Sequence, residues 1–139
     1  MRSSLNLPMA SLLLASLLSC SDEAKLFRSD HWTVINYWAV WCKPCREEIP
    51  ELNQLNTNPN IVVYGVNFDR KMGDALQSDS RSLGLEFKNI SDPSKALGME
   101  RPNVLPTTIV VAPSGEVKAV LVGPQTSDSV LAVIRPAVN

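Results

Sequence analysis

Apolar runs separated by short polar stretches follow one another along the chain from residue 31 onward. Two of these runs, residues 33–39 (TVINYWA) and 61–66 (IVVYGV), are rich in β-branched and aromatic side chains, which is typical of buried strands. Between them, the stretch REEIPELNQLN places apolar residues at helical spacing and predicts an amphipathic helix. Because strands joined through a helix usually run parallel, this part of the chain predicts a β-α-β unit.

The second half of the chain predicts a further helix and a hairpin. Residues 71–83 favour a helix, and residues 91–104 combine turn residues with a possible short helix. After Pro106, the runs TTIVVAP and VKAVLVG flank a turn at 113–116, which predicts a β-hairpin. A last helix is predicted over 125–138. The order β-α-β, α, β-β-α predicts an α/β domain with a central mixed sheet and flanking helices.

Composition narrows the class of protein. The chain has 139 residues, 45% of them hydrophobic, which suits one domain with an ordinary core. Its 13 basic and 14 acidic residues give a net charge of −1. Because no basic field would gather nucleic acid, a nucleic-acid partner is not expected.

Residues 1–30 have the pattern of a secretory signal peptide followed by a tether. Arg2 precedes residues 3–19, which are uncharged and Leu-rich, as in a secretory signal peptide, and too short for a convincing spanning helix. The sequence LLSC that ends at Cys20 resembles the lipobox of bacterial lipoproteins, whose cysteine is lipidated. The alternatives are a chance cysteine near an ordinary cleavage site, or an uncleaved anchor. The predicted organisation is a lipoprotein signal peptide (1–19), a lipid-anchored tether (20–30) and a folded domain (31–139).

Lipidation of Cys20 would also account for the odd number of cysteines. The chain has three, and an exported protein with three thiols would otherwise carry a free thiol or an intermolecular bridge. We therefore expect a protein of the bacterial cell envelope, held to a membrane by its lipid, whose domain faces the periplasm or the extracytoplasmic space. Which of two membranes holds it is not decided by the residues after Cys20.

The remaining cysteines form a CxxC motif, WCKPC, between the first strand and the first helix. At a helix N-terminus the unpaired N–H groups and the macrodipole stabilise a thiolate, so Cys42 is expected to be the attacking sulfur and Cys45 the resolving one. Exchange through a mixed disulfide needs neither a cofactor nor a metal. Pro44 fits the first helical turn, and Trp41 offers an apolar docking surface beside the nucleophile.

Other uses of CxxC fit the sequence less well. Haem attachment requires His after the second cysteine, where this chain has Arg46. A structural zinc site needs four ligands, and beyond the pair the mature chain offers only His31 and Cys20. A soft-metal carrier lacks a Met or His cluster, and an inert disulfide is disfavoured by the expected exposure at the helix start. Thiol–disulfide exchange is therefore the leading hypothesis.

The segments VINYWAVWCKPCREEIPEL and LPTTIVVAPSGEV resemble the exported TlpA/ResA-like branch of the thioredoxin superfamily. The resemblance implies a thioredoxin fold over most of residues 31–139. It also implies a membrane-tethered enzyme that reduces disulfides of proteins, including those of apocytochrome c during haem attachment, with electrons from a membrane-embedded thiol–disulfide relay. The segment YGVNFD looks like a loop of the cytochrome c maturation members, although Thr107 and Thr108 stand where those members often have an acidic residue.

The resemblance also assigns roles to single residues. Pro106 matches the family's cis-proline, so the Leu105 backbone is expected to pair with an extended substrate beside Cys42. An ordinary trans proline at the start of a strand is the alternative. Glu48 matches an acidic position near the thiols and is the candidate proton acceptor; its alternative role is that of a solvent-exposed glutamate like Glu47. Asn36 stands where cytoplasmic thioredoxins bury an aspartate.

The direction of electron flow is open at this point. Lys43 between the cysteines should stabilise the reduced form and so favour a thiol oxidant, but its alternative role is that of a solvated surface lysine. The KP pair is unlike the His-containing pairs common in strong oxidants. The sequence thus predicts a reductase first, an oxidant second, and third a non-catalytic lipoprotein that binds a partner or a soft metal.

Overall fold

The computed structural model describes Phe27 and residues 29–135, and the predicted signal peptide, the predicted lipidation site Cys20 and most of the predicted tether lie outside these residues. The described residues form one five-stranded sheet with the strand order β3-β2-β1-β4-β5. Three helices accompany it. In chain order the elements are β1 (Trp32–Trp38), α1 (Lys43–Asn56), β2 (Ile61–Asn67), α2 (Gly73–Leu83), β3 (Lys88–Asn89), β4 (Thr107–Val111), β5 (Val117–Val122) and α3 (Ser127–Ile134).

The sheet is mixed, with β1 at its centre. β1 pairs parallel with β2, from Trp32 opposite Ile61, and antiparallel with β4, from Thr33 opposite Val111. β4 and β5 form the predicted antiparallel hairpin. All five residues of β4 are buried, as are six of the seven of β1, which explains why both read as continuous apolar runs.

The two faces of the sheet are covered differently. On one face, Val34 and Val110 pack against Leu52 of α1 and Val130 of α3. The opposite face carries the alternate residues of β1 and β4 and is covered by Phe27 and by non-helical chain from the segment between β3 and β4. That second cluster contains Phe27, Ile35, Tyr37, Val66, Ile109 and Val111, with Ile90, Leu97, Met99 and Leu105 packed against it.

Three features differ from the sequence prediction. β3 was not predicted, because two polar residues carry no periodicity and become a strand only by pairing with Tyr64 and Gly65. The possible short helix within residues 91–104 is wrong: the segment forms turns, and Gly98 in a left-handed conformation (φ 66°) stops the one helical turn that begins at Pro93. The last helix is shorter than predicted, since Thr126 caps it and it ends at Ile134.

Packing begins before the predicted start of the domain. The Phe27 side chain is buried against the sheet, and the Ser29 N–H donates to the Pro113 carbonyl over 3.2 Å. Both residues fall in the range predicted as tether. Within residues 29–135, no helix is long and apolar enough to cross a membrane.

Candidate active site

Cys42 and Cys45 lie at the point where the chain turns from β1 into α1. Cys42 is the N-cap of the helix, and its Sγ accepts the Cys45 N–H over 3.3 Å. The two sulfurs form a disulfide, and the Cα atoms are 5.3 Å apart. Cys42 is 5% exposed and Cys45 is fully buried, so Cys42 is the sulfur within reach of a partner. The geometry thus gives the two cysteines the outer and inner positions that their predicted roles require.

An apolar wall lies behind the disulfide. Trp38 and Ala39, both fully buried, form one cluster with the two cysteines, and the Trp38 Nε1–H donates to the Asn89 Oδ1 over 2.9 Å. Gly65 permits this arrangement. A Cβ at residue 65 would lie 2.5 Å from Asn89 Oδ1 and 2.8 Å from Trp38 Nε1, closer than van der Waals contact allows.

Leu105 lies beside the dithiol, and Pro106 follows it immediately before β4. Their peptide bond is cis, Leu105 packs against the cluster that contains both cysteines, and Pro106 is buried. The Pro106 carbonyl accepts the Gly123 N–H over 2.9 Å, and the Thr107 hydroxyl donates to the Val104 carbonyl over 2.7 Å. The first residue of β4 and the residue that follows β5 therefore both hold this turn.

Glu48 is a buried carboxylate one helical turn beyond Cys45. Only 2% of the residue is exposed, and the buried residues of α1 include both Glu48 and Cys45. Its Oε1 accepts a hydrogen bond from Asn36 Nδ2, and its Oε2 accepts the Gln125 N–H over 2.9 Å. Burial raises the pKa of Glu48 from 4.5 to about 7, even though the bonds from Gln125 and Asn36 lower it in part. A carboxyl with this pKa can take up and release a proton near neutral pH.

The neighbouring Glu47 is exposed to solvent. Its side chain is 61% exposed and lies 3.8 Å from the Lys43 ammonium, whose side chain is 79% exposed. A pair this open to solvent contributes little. The structure therefore separates the two glutamates that the sequence alone left nearly equivalent.

Trp41 stands on the outer side of the dithiol. It is 60% exposed, its Nε1 lies 3.0 and 3.2 Å from the two carboxylate oxygens of Asp69, and its ring meets the Phe68 ring edge to face with centroids 6.2 Å apart. Trp41 precedes Cys42 in the chain, and Leu105 packs against the cluster that contains both cysteines.

Several residues of this site carried no sequence signal of their own. Asn36 was noted only as a departure from cytoplasmic thioredoxins, whereas it bonds both Glu48 and the Thr108 hydroxyl. Gln125 reaches Glu48 through its backbone, which no residue type encodes. In the described part of the chain, no group of three or more His, Cys, Asp or Glu side chains could hold a metal ion.

The structure defines a thioredoxin-like dithiol domain. It has a parallel β1-α1-β2 unit, an antiparallel β4–β5 hairpin, a cis-proline and a CxxC bridge at the start of α1. Comparison with protein families places it more closely. The model of the AhpC/TSA family matches residues 20–120, and the chain belongs to this thioredoxin-like family.

Individual relatives are named for thiol–disulfide chemistry. The chain is 29% identical over 101 residues to the thiol-disulfide oxidoreductase ResA of Geobacillus kaustophilus (69% of this chain, 57% of that protein). It is 31% identical over 105 residues to the thiol:disulfide interchange protein HelX of Rhodobacter capsulatus (74% and 58%). The chain therefore spans less than two thirds of the length of these curated relatives.

A solved structure shows the same fold. The crystal structure of a DsbF homologue from Corynebacterium diphtheriae superposes with a TM-score of 0.66 at 26% identity, covering 77% of this chain and 72% of that one. The predicted fold and the predicted family resemblance are both confirmed.

Proposed function

We propose that this protein is an extracytoplasmic thiol–disulfide oxidoreductase that works as a disulfide reductase. The observation that carries the proposal is the Cys42–Cys45 bridge at the start of α1, with Cys42 outermost and the buried Glu48 one turn behind Cys45. The names of the relatives support the same chemistry.

The reaction starts from the reduced protein. The Cys42 thiolate, stabilised by the helix N-terminus, attacks one sulfur of a substrate disulfide, so that a mixed disulfide forms and one substrate thiolate leaves. Cys45 loses its proton, and its sulfur attacks Cys42 Sγ. The Cys42–Cys45 bond forms and the second substrate thiolate leaves. Two electrons have passed to the substrate, and a dithiol donor must reduce the protein again.

Glu48 is the acceptor for the Cys45 proton in this scheme. Its position on the buried side of α1, together with a pKa near 7, supports that role. Asn36 can serve both states of Glu48. Its Nδ2 donates to the ionised carboxylate, and its fully buried Oδ1, which has no hydrogen-bond partner among the described residues, could accept from the protonated acid after rotation of the amide.

Substrate docking falls to the residues around Cys42. Trp41 and Leu105 supply apolar contact area, and the Leu105–Pro106 turn supplies backbone groups for an extended segment of the substrate. The substrates are proteins that contain disulfides, and the disulfide of apocytochrome c is the candidate that the TlpA/ResA resemblance adds.

The cellular setting is part of the same proposal. A lipidated Cys20 would hold the domain at a membrane of the cell envelope, facing the periplasm or the extracytoplasmic space, and a membrane thiol–disulfide relay would supply electrons. The test is acyl labelling of the full chain in cells, with Cys20→Ala as the control. A labelled Cys20→Ala variant would contradict this part.

A thiol oxidant is the second candidate, because Lys43 adds positive charge beside Cys42. The Glu47 carboxylate 3.8 Å from Lys43 offsets part of that charge. Thiol trapping in cells decides between the two directions: a reductase keeps Cys42 and Cys45 mostly reduced, and a mostly disulfide-bonded pool would contradict the reductase.

Insulin reduction tests the enzymatic proposal itself. The wild-type protein with a dithiol donor should accelerate insulin reduction, and Cys42→Ser and Cys45→Ser should both lose that acceleration. Cys20→Ser is the matched control, since it removes a thiol outside the dithiol and should retain activity. If the dithiol donor reduces insulin at the same rate with and without the wild-type protein, the enzymatic proposal is wrong and a non-catalytic binding protein is the alternative.

A further inference from the structure

The exposed Trp41 is held from two sides by the loop that follows β2. Its Nε1–H points at the Asp69 carboxylate, 3.0 Å from one oxygen and 3.2 Å from the other, and its ring edge meets Phe68. An indole that is 60% exposed would otherwise be free to change rotamer. Asp69 and Phe68 therefore hold the ring in one orientation beside Cys42.

The loop itself is held by Arg101. One guanidinium nitrogen donates to the Phe68 carbonyl over 2.7 Å, and the guanidinium carbon lies 4.4 Å from the centre of the Phe68 ring. A guanidinium so placed makes a hydrogen bond and a cation–π contact with the same residue. Arg101 thus fixes both the backbone and the side chain of the residue next to Asp69.

Arg101 is in turn anchored to the centre of the sheet. Its Nε donates to Asp92 over 2.6 Å, and the other oxygen of Asp92 accepts the hydroxyl of Tyr37, a fully buried residue of β1, over 2.7 Å. An unbroken series of contacts leads from β1 through Tyr37, Asp92, Arg101 and Phe68 to Trp41.

We propose that Asp69 and Arg101 are positioning residues that hold the Trp41 indole as a preformed docking surface for protein substrates. A side chain fixed before the partner arrives loses less rotamer freedom on binding, so the fixed indole gives tighter docking than a mobile one with the same contact area. Disulfides too small to reach beyond Cys42 gain nothing from it. The inference rests on the proposed function.

The test compares two disulfides with each variant. The reduced protein is mixed with insulin and, separately, with the small aromatic disulfide 5,5′-dithiobis(2-nitrobenzoate), and the ratio of the two second-order rate constants is taken. Asp69→Ala should lower this ratio about two- to fivefold, the effect of losing a partly exposed hydrogen bond. Asp69→Asn should keep most of the ratio, since its amide oxygen still accepts from the indole. Asp74→Ala, an exposed aspartate at the start of α2, is the control and should leave the ratio unchanged.

Arg101→Lys tests the anchor while keeping the charge. A lysine cannot bond both the Phe68 carbonyl and Asp92 in the fork geometry of arginine, so the ratio should fall as it does in Asp69→Ala. The indole N–H signal of Trp41, identified by its absence in Trp41→Phe, is followed by NMR in the oxidised proteins. It should move in Asp69→Ala and Arg101→Lys and stay near its wild-type position in Asp69→Asn.

The outcomes separate this inference from the proposed function. If the wild type is active and Asp69→Ala has the same ratio of rate constants as the wild type, only the positioning role is overturned. An Asp69→Asn variant as impaired as Asp69→Ala would assign the effect to charge and also overturn it. A wild-type protein that reduces neither disulfide would overturn the docking role together with the proposed function.

Discussion

The two sides of the dithiol differ in almost every physical property. On the inner side, Cys45 and Glu48 are buried, and the carboxylate is bonded to Asn36 and to the backbone of Gln125. On the outer side, Trp41 is 60% exposed. The inner side can shift a pKa because water is excluded, and the outer side can accept a partner because it is open. One turn of helix separates proton handling from docking.

The largest expected difference between the two sides comes from Glu48. This buried carboxyl makes the free energy of unfolding depend on pH. Its folded pKa of about 7 is above the ordinary 4.5. Between these values the unfolded chain loses the proton first, so the wild type loses stability as pH rises from 4.5 to 7. The loss is on the order of 2–3 kcal/mol, because a difference of one unit between the folded and the unfolded pKa is worth about 1.4 kcal/mol.

Glu48→Gln removes that titration. In urea unfolding, the stability of Glu48→Gln relative to wild type should rise between pH 4.5 and pH 8, whereas Glu47→Gln, the exposed neighbour, should follow the wild type. The rate of disulfide reduction should also fall, by about tenfold or more at pH 7, if Glu48 is the proton acceptor. If Glu48→Gln reduces disulfides as fast as the wild type, Glu48 is not the proton acceptor and its role is structural only.

The next effect concerns the inner wall. Gly65→Ala places a methyl group against Asn89 and Trp38, which should lower the free energy of unfolding by about 1–3 kcal/mol. Trp41→Ala, on the outer side, should change it by less than about 1 kcal/mol, because the hydrogen bond and the ring contact that it removes are partly exposed. Urea unfolding of both variants at one pH is the measurement, and equal losses in the two would contradict the contrast between the sides.

Much of the site was readable from the sequence because its signals are local. The CxxC at a strand-to-helix junction, the hairpin after Pro106 and the identity of Cys42 as the outer thiol each depend on neighbouring residues. Glu48 could be named from the family resemblance. Its burial could not, because the Asn36 side chain and the Gln125 backbone, which reach Glu48, are 12 and 77 residues away from it in sequence.

The open side was harder to predict for a different reason. Asp69, Phe68 and Arg101 lie outside the helices and strands, where no periodicity reports which way a side chain points. The two-residue β3 and the turns around Gly98 escaped for the same reason, since pairing and packing rather than local pattern decide them. Regular elements placed the cysteines, and irregular segments built the surface around them.

A third prediction is confined to the outer side. Trp41→Ala should lower the rate of insulin reduction about three- to tenfold, because an exposed aromatic docking group is lost, while its stability stays close to wild type. Trp32→Phe, in β1 and outside the cluster around the dithiol, is a control of the same residue type. Wild-type insulin kinetics in Trp41→Ala would show that the outer side does not dock the substrate.

The smallest effect is expected at Lys43. Because its charge is exposed and 3.8 Å from Glu47, Lys43→Gln should change the equilibrium constant with glutathione by no more than about threefold, toward the disulfide form. Lys118→Gln is the matched control, because Lys118 of β5 pairs with the carboxylate of Glu116. A tenfold or larger change in Lys43→Gln would mean that the charge of Lys43 stabilises the Cys42 thiolate more than the helix N-terminus does.

The central claim is that Cys42 attacks and Cys45 resolves, and trapping of the intermediate tests it most directly. The Cys45→Ser protein, reduced and mixed with oxidised insulin, should accumulate a covalent adduct that mass spectrometry of tryptic peptides places on Cys42. The Cys42→Ser protein should form no comparable adduct through the fully buried Cys45. An adduct that builds up on Cys45 in Cys42→Ser, with none on Cys42 in Cys45→Ser, would contradict the account.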